Sequence, residues 1–476
     1  MFKSHFASIF TVTILLFSFA NSQAQTISGT WKGNLLIGSS ALPIVFHIKD
    51  SAATYAATMD SPEQEAYGIP VDKVSFVNGM LSLQITKAHI NYRAQLLGDT
   101  LLKGVFKQAI IKKELLLRPA TNHNGQAKVV HHPQTPTAPF SYPINEVRFP
   151  SADSKVLLAG TLTMPSNTST YPVPAVVLIS GSGPQDRDES LLGHKPFLVL
   201  ADYLTRFGCA VLRYDDRGTA ASAGKFKGAT TFDFINDAQG AANFLRKQPG
   251  IDTARIGLIG HSEGGLIAPM LALQDSRIAF MVLLAGPAMR GAELLPLQME
   301  KVARASGTWN NTIAQEIKVY DQAFQLIART HNNFVLRHKL FHYFYKHFSE
   351  IPSAKQLHSN RFLWAHLETK LWMDPWMRTF LQINPMDYLT RVAPHCPILA
   401  LNGSLDMQVP SAENLALMRE VIKHGDARSE VVELENLNHL FQEAKTGSPK
   451  EYAKIEETMN VAAITVLLNW ITKVCR

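Results

Sequence analysis

One stretch of the sequence limits the possible folds more than any other. Residues 256–265 read IGLIGHSEGG, in which a serine stands between glycines directly after an apolar run. The preceding "RIGLIG" is typical of a buried strand, and the following "GGLIAPMLALQD" is typical of a helix. A chain that passes from strand to helix so abruptly must turn tightly, and Gly260 and Gly264 let it do so without side-chain clashes. We therefore predict that Ser262 is exposed on a tight turn at the end of a strand.

The segments around this turn alternate between strand and helix patterns. Apolar runs such as "PAVVLIS" and "IAFMVLLAG" are separated by stretches with helical spacing, such as "PFLVLADYLTRFG". Strands that are apolar throughout indicate a mostly parallel sheet covered by helices on both faces. The alternation is interrupted by a helical, aromatic insertion, in which Thr312 and Gln315 predict a helix start. Because the insertion comes late in the sheet, at the side where strands end, we expect it to form a cap.

The region before this sheet has a different pattern. Residues 25–118 hold short, turn-bounded segments rich in β-forming residues, which predict a small antiparallel β domain. Residues 119–141 contain four prolines and no apolar period, and we expect a linker there. The catalytic domain is then predicted over 142–287 and 386–476, with the helical cap over 288–385.

The first 24 residues have the features of a signal peptide. Lys3 supplies a positive charge, and "ASIFTVTILLFSFA" is an apolar run too short for a comfortable membrane span. Ser22 and Ala24 suit the small-residue positions before a cleavage site. We predict export to the periplasm or the extracellular space, with cleavage after Ala24 and no stable membrane insertion of the mature chain. An uncleaved anchor is the alternative.

The distribution of charge along the chain does not indicate a nucleic-acid partner. The formal net charge is +7, but the lysines and arginines are scattered, and no nucleic-acid-binding motif accompanies them. We interpret this charge as a contribution to solubility and expect no nucleic-acid partner. A homo-oligomer is left open.

Two residues farther along the chain complete a catalytic arrangement. A serine hydroxyl is a poor nucleophile without a base. Asp406 follows "PILALNGSL" and His439 follows "VVELENLN", each after a predicted strand and in the order acid, then histidine. We predict that His439 accepts the proton of Ser262 and that Asp406 orients the imidazole. Asp387 and His424 are the competing candidates for these two positions.

The loop after strand "AVVLI" provides a further part of the predicted site. It reads "SGSGPQDRDE", and we expect the backbone N–H of Ser182, or else of Gly183, to bind an oxyanion together with that of Glu263. Because backbone amides carry this charge, no cofactor and no metal are expected. His338 and His342 have a spacing that places two ligands on one helix face, but no glutamate completes a His-Glu-x-x-His motif.

Several motifs together resemble the α/β-hydrolase superfamily, namely "SGSGPQDRDE", "RYDDRGTAAS", "GHSEGG", "NGSLDMQV" and "LNHLFQ". The resemblance is greatest to exported bacterial carboxylesterases that carry a small N-terminal β domain. The segments "SGTWKGNL" and "MDSPEQEAYGIPVDKV" resemble that domain. It implies an α/β-hydrolase sheet and serine ester hydrolysis with Ser262, Asp406 and His439 as the triad. The chain departs from the family at "RGTAASAGKF", where members usually have a glycine near Thr219 to Ala221.

The predicted activity is hydrolysis of small-molecule esters, with short to medium acyl groups, through an acyl-enzyme. A serine peptidase of aminopeptidase type with the same triad is the first alternative. A catalytically silent binding module is the second, and the intact serine, aspartate and histidine count against it. Prolyl-oligopeptidase-like enzymes select peptides with a β-propeller of at least four blades, each about 40 residues long. The N-terminal region, at roughly 95 residues, is too small for such a filter.

Overall fold

The structure of the chain is a computed structural model that describes residues 27–37, 40–51, 54–61, 66–86, 88–98, 100–108, 111–120, 132–166, 172–351 and 360–476. The predicted signal peptide and the middle of the predicted linker lie outside the described residues. The chain divides into two compact units between residues 127 and 128. This division falls within the predicted linker.

The first unit is an antiparallel sheet of nine strands in the order β4-β3-β2-β1-β9-β8-β7-β6-β5. Side chains of β7 alternate between buried and exposed, as expected of a sheet that packs on one face. Its core includes the stacked rings of Phe46 and Tyr92, with centroids 5.8 Å apart. The strands are β1 Gly29–Ile37, β2 Ser40–Ser51, β3 Thr54–Ser61, β4 Ala66–Pro70, β5 Lys73–Val77, β6 Met80–Ile85, β7 Ile90–Leu97, β8 Leu101–Gln108 and β9 Ile111–Pro119. The predicted all-β region is confirmed.

The second unit contains a sheet of eight strands in the order β10-β11-β13-β12-β14-β15-β16-β17. Strand β11 is antiparallel to both of its neighbours, β10 and β13. The strands from β13 to the β17 edge run parallel to one another. The strands are β10 Ile144–Pro150, β11 Leu157–Thr163, β12 Val173–Ile179, β13 Ala210–Tyr214, β14 Ile251–His261, β15 Met281–Leu284, β16 Ile398–Gly403 and β17 Glu430–Leu434. Strands β13, β15 and β16 are buried at every residue. Together with the parallel pairing, this burial confirms the predicted mostly parallel sheet covered on both faces.

Helices cover both faces of this sheet. Val177 of β12 packs in the cluster that includes helices α2 and α3, and the adjacent Val176 packs in the cluster that includes α1 and α12. The helices outside the insertion are α1 Pro196–Arg206, α2 Thr231–Leu245, α3 Glu263–Gln274, α9 Met386–Val392, α10 Ser411–Ile422, α11 Pro449–Tyr452 and α12 Val461–Val474. Within the described part of the chain, no helix combines the length and apolarity needed to cross a membrane.

The insertion between β15 and α9 consists of helices with a core of their own, centred on Phe324, Phe344 and Trp364. They are α4 Gly291–Ala305, α5 Asn311–Arg329, α6 Asn333–His347, α7 Arg361–Trp372 and α8 Pro375–Gln382. The predicted start of α5 at Thr312 is wrong. Asn310 caps this helix, because its side chain accepts the N–H of Ile313 at 3.0 Å. Thr312 therefore lies inside the first turn.

Candidate active site

Ser262 occupies a strained turn between β14 and α3. Its backbone has φ +51° and ψ −117°, a conformation that costs a non-glycine residue free energy. A Cβ atom at Gly260 would lie 2.0 Å from the carbonyl oxygen of Gly264, and one at Gly264 would lie 2.1 Å from that of Ile179. The flanking glycines are therefore required by close backbone approach. They allow α3 to pack against the ends of β12 and β14.

His439 and Asp406 come together in the loops after β17 and β16. His439 Nδ1 lies 2.9 Å from Asp406 Oδ2, and both side chains are buried. The other oxygen of Asp406 accepts the backbone N–H groups of Gln408 and Val409, each at 2.8 Å. These bonds hold the carboxylate so that it can orient the imidazole, with the hydrogen at Nδ1 and Nε2 available to accept a proton.

The competing candidates take no part in this pair. Asp387 lies in the first turn of α9, and its carboxylate accepts the Asn384 amide at 2.8 Å. His424 is exposed in the turn after α10. His338, considered as a metal ligand, is exposed and bonds through Nδ1 to the carbonyl of Phe334 at 2.9 Å. Among the residues that the structure describes, no group of three or more His, Cys, Asp or Glu is arranged to hold a metal ion.

The two backbone groups expected at the oxyanion come from two segments that approach each other at the serine turn. Glu263 is the first residue of α3, and Ser182 follows Gly181 in the loop after β12. Neither backbone N–H donates a hydrogen bond to another of the described residues. The N–H of Gly181, in contrast, is occupied by Glu189 Oε1 at 2.8 Å. A Cβ at Gly181 would lie only 3.2 Å from the Cβ of Ser262, which shows how close this loop comes to the serine.

A buried glutamate that the sequence analysis missed connects three loops of the site. Glu189 Oε1 accepts the N–H of Gly181 and also lies 2.8 Å from His261 Nδ1. His261 Nε2 lies 3.1 Å from the carbonyl oxygen of His439, and the centroids of the two imidazole rings are 4.9 Å apart. Both residues belong to motifs quoted above, "DRDE" and "GHS", but nothing in the sequence pairs them.

The charged run that contains Glu189 is held against the loop after β13. Arg187 binds both oxygens of Asp215, with Nε at 3.0 Å and Nη2 at 2.8 Å, and also binds Glu146. Arg213 binds Asp188. These ion pairs explain why "QDRDE" and "RYDDRG" occur in the same chain, since each supplies the partners of the other.

The carboxylate of Glu263 joins the cap to the serine turn. It is buried and accepts Trp376 Nε1 at 2.8 and 2.9 Å, Thr231 Oγ1 at 2.8 Å, and the hydroxyl of Ser182. Burial raises the pKa of Glu263, and these hydrogen bonds offset only part of that effect. Trp376 lies within the predicted helical cap, 288–385. The structure shows that it also contacts the residue after Ser262.

Comparison with known proteins gives a family match and a similar curated protein. Residues 196–439, just over half of the chain, match the Hydrolase_4 family, described as serine aminopeptidase, S33. The curated protein "Esterase EstD" of Thermotoga maritima is 25% identical over 317 residues, which are 66% of each chain. The match thus spans slightly less than two thirds of that relative.

Solved hydrolase structures are also similar. The α/β hydrolase GrgF from Penicillium is 17% identical over 70% of this chain and 98% of its own, with a TM-score of 0.42. The esterase Pf2001 from Pyrococcus furiosus is 17% identical over 75% of this chain and 96% of its own, also with a TM-score of 0.42. Est1E from Butyrivibrio proteoclasticus, solved with ferulic acid bound, is 16% identical over 69% of this chain and 99% of its own, with a TM-score of 0.40.

Proposed function

Because the chain belongs to the Hydrolase_4 family of α/β hydrolases, we propose that it is a serine carboxylic-ester hydrolase acting on short to medium acyl esters. The observation that carries the proposal is the bond between His439 and Asp406. The ring of His261, the residue before the strained Ser262, lies 4.9 Å from that of His439, centroid to centroid. The relative named an esterase supports ester bonds as the target.

Ser262 is the proposed nucleophile. Its Oγ attacks the carbonyl carbon of the ester while His439 Nε2 takes the hydroxyl proton, and Asp406 stabilises the imidazolium that forms. When the C–O bond breaks, His439 gives this proton to the departing alcohol and the acyl group stays on Ser262. A water molecule then attacks the acyl carbon and loses a proton to His439. Release of the acid returns that proton to Ser262 Oγ.

The oxyanion formed in both steps is assigned to the backbone N–H groups of Ser182 and Glu263. Two observations support this assignment: both groups lack an acceptor among the described residues, and Glu263 opens a helix, whose N-terminus favours negative charge. The cap is proposed to limit acyl size, since Trp376 brings α8 to the residue after the nucleophile.

Export is the second part of the proposal. We propose that residues 1–24 direct the chain out of the cytoplasm and that cleavage after Ala24 releases a periplasmic or extracellular enzyme. N-terminal sequencing of protein recovered from the expressing cells tests this point. A mature protein that begins at Gln25 is expected, and a retained Met1 would indicate the uncleaved anchor.

The alternative activity is that of a serine peptidase, favoured by the description of the matched family as serine aminopeptidase. It uses the same triad, so the two activities differ in the substrate that the cap admits. An amide requires protonation of its nitrogen as it leaves and therefore closer positioning of the substrate than an ester.

A fluorophosphonate probe tests whether the serine is activated. The wild-type protein should be labelled on Ser262, and Ser262→Ala should lose both labelling and at least about a thousandfold in hydrolysis rate with an unchanged melting temperature. Asp387→Asn is the matched control for Asp406→Asn. A protein crippled by the former and not by the latter would have a different catalytic acid.

The ratio of kcat/KM for p-nitrophenyl butyrate to that for an aminoacyl p-nitroanilide separates the two activities, once each is divided by its uncatalysed rate. We expect the corrected ratio to favour the ester. A ratio that favours the anilide would establish the peptidase.

A further inference from the structure

His261 is a buried histidine next to Ser262 that the proposed reaction does not use. Its Nδ1 lies 2.8 Å from Glu189 Oε1, and its Nε2 lies 3.1 Å from the carbonyl oxygen of His439. Carboxylate and carbonyl oxygens accept hydrogen bonds, so each ring nitrogen faces an atom that needs a hydrogen. A neutral imidazole carries only one ring hydrogen, whereas the imidazolium carries both. Both contacts are satisfied together by a positively charged His261 and a negatively charged Glu189.

The proton between these two side chains belongs on the imidazole. A carboxylic acid is more acidic than an imidazolium by about two pKa units in model peptides. The N–H of Gly181 also donates to the same Glu189 oxygen, so this oxygen acts as an acceptor. Burial by itself would lower the pKa of His261, but the charge of Glu189 and the hydrogen bonds to Glu189 and His439 outweigh burial and raise it.

Each bond of this ion pair ends on a segment of the proposed site. Glu189 accepts the N–H of Gly181, which precedes the oxyanion candidate Ser182. It also bonds to the ring of His261, the residue directly before Ser262. The other side of that ring holds the backbone of His439. These three segments follow β12, β14 and β17, which are distant in the sequence.

We propose that Glu189 and protonated His261 are positioning residues. They hold the oxyanion loop, the nucleophile turn and the His439 loop in the relative positions that hydrolysis requires. This inference rests on the proposed function. Glu189 itself has a positive φ of 52°, so its backbone is held in a conformation that its own residue type disfavours. Strain of this kind persists where surrounding contacts enforce it.

Charge on His261 makes this arrangement sensitive to alkaline pH. The titratable groups that face its ring are Glu189, His439 and, beyond His439, Asp406. Below the pKa of His261 both ring bonds are intact. As the pH rises through that pKa, one ring hydrogen is lost and only one bond remains, so we expect kcat/KM to fall on the alkaline side.

Three variants separate the two bonds. Glu189→Gln keeps the shape and removes the negative charge, so that a neutral His261 keeps only one of its two ring bonds at any pH. His261→Gln preserves a donor toward the His439 carbonyl and cannot titrate. His261→Asn preserves a donor toward Glu189 and releases His439. His338→Gln, which alters an exposed histidine of the cap, is the control and should match the wild type.

The measurement is kcat and KM for p-nitrophenyl acetate against pH, with Ser262→Ala subtracted as background. Glu189→Gln and His261→Gln should lose at most about tenfold in kcat, with KM nearly unchanged, and should lose the alkaline decline. His261→Asn should lose about a hundredfold, since a displaced base is that costly. An alkaline decline that persists in both glutamine variants, or equal rates for His261→Gln and His261→Asn, would overturn the proposal.

A spectroscopic measurement is independent of turnover. In Ser262→Ala protein labelled with nitrogen-15 histidine, both ring nitrogens of His261 should carry a hydrogen at pH 7.5, about one unit above the ordinary histidine pKa. His261→Gln in the same background assigns the signals. A nitrogen without a hydrogen would refute the ion pair in a folded protein. Full hydrolysis by Ser262→Ala would instead refute the proposed function and leave this result standing.

Discussion

Asp215 and Asp216 are neighbours in the sequence, yet they lie in two regions with opposite electrostatics. The paired region consists of Asp215, Arg187 and Glu146, in which one guanidinium binds two carboxylates. The carboxylate region consists of Asp216, Asp237 and Glu263, which line a cavity of about 10 Å³ behind the serine turn. Both aspartates directly follow β13 in one loop, so adjacent positions of that loop lie in these two different environments.

In the paired region, charge outweighs burial. Burial alone would raise the pKa of Asp215, but the hydrogen bonds and charge of Arg187 and the N–H groups of Arg187 and Ala221 lower it below its ordinary value. The carboxylate is therefore ionised and adds stability at neutral pH.

In the carboxylate region, burial outweighs the available donors. Asp216 has only neutral partners, the Ser180 hydroxyl at 2.9 Å and the Gln185 N–H at 2.9 Å, and burial raises its pKa to about 8. Asp237 binds Arg217 at 2.7 and 2.8 Å, yet burial still raises its pKa to about 6. Ionisation of the same residue type is therefore favoured at one position of this loop and disfavoured at the next.

Arg187→Met should have the largest effect, because it leaves the buried Asp215 charge without its partner. We expect a loss of about 3 kcal/mol in the free energy of unfolding, measured by urea denaturation at pH 7. The control is Arg206→Met, which removes a pair with Asp202 at the surface and should cost less than about 1 kcal/mol. Equal losses would mean that the paired region behaves like an ordinary surface.

Asp216→Asn should change how stability depends on pH. The folded pKa of about 8 lies above the unfolded value of about 3.9, so the native state binds more protons between them and stability falls as the pH rises. The substitution should remove a slope of up to about 1.4 kcal/mol per pH unit in that window. Asp215→Asn is the matched control, and it should destabilise the protein at pH 7 without flattening the slope.

Trp376→Phe should remove a donor from Glu263 while keeping the ring stacked on Phe380. We expect a loss of about 1–2 kcal/mol in the free energy of unfolding, since a buried carboxylate loses one of its donors. The loss should be greater at pH 8 than at pH 5, because the ionised carboxylate needs that donor more. Urea denaturation at both pH values measures this difference, and the same loss at both would show that the ionisation of Glu263 does not change between pH 5 and pH 8.

Ala220→Gly should have the smallest effect, and it should stabilise. Ala220 has φ +44°, a backbone region that favours glycine, so glycine relieves strain there. A gain of no more than about 1 kcal/mol is expected from urea denaturation. Ala221→Gly, next in the same loop and without a positive φ, should instead destabilise by about 0.5 kcal/mol. A loss at both positions would mean that Ala220 is not strained in this loop.

Much of the fold follows from local patterns in the sequence. The all-apolar strands, the helical spacing between them and the glycines around Ser262 each reflect short-range geometry, and the structure has the predicted sheet at these places. The bond between His439 and Asp406 joins two residues whose position after strands is visible in the sequence. The choice between neighbouring candidates for a helix cap was harder to predict, since Asn310 and not Thr312 caps α5.

The sequence by itself determined which segments become strands and helices, and where Ser262, Asp406 and His439 fall at the ends of strands. The tertiary structure decided the charge states and the connections between loops. Glu189 and His261 are 72 positions apart, and Trp376 and Glu263 are 113 apart. No periodicity relates residues at such separations, because their contact depends on how the sheet brings its loops together. The opposite ionisation of Asp215 and Asp216 has the same origin, since burial and the reach of Arg187 exist only in the folded chain.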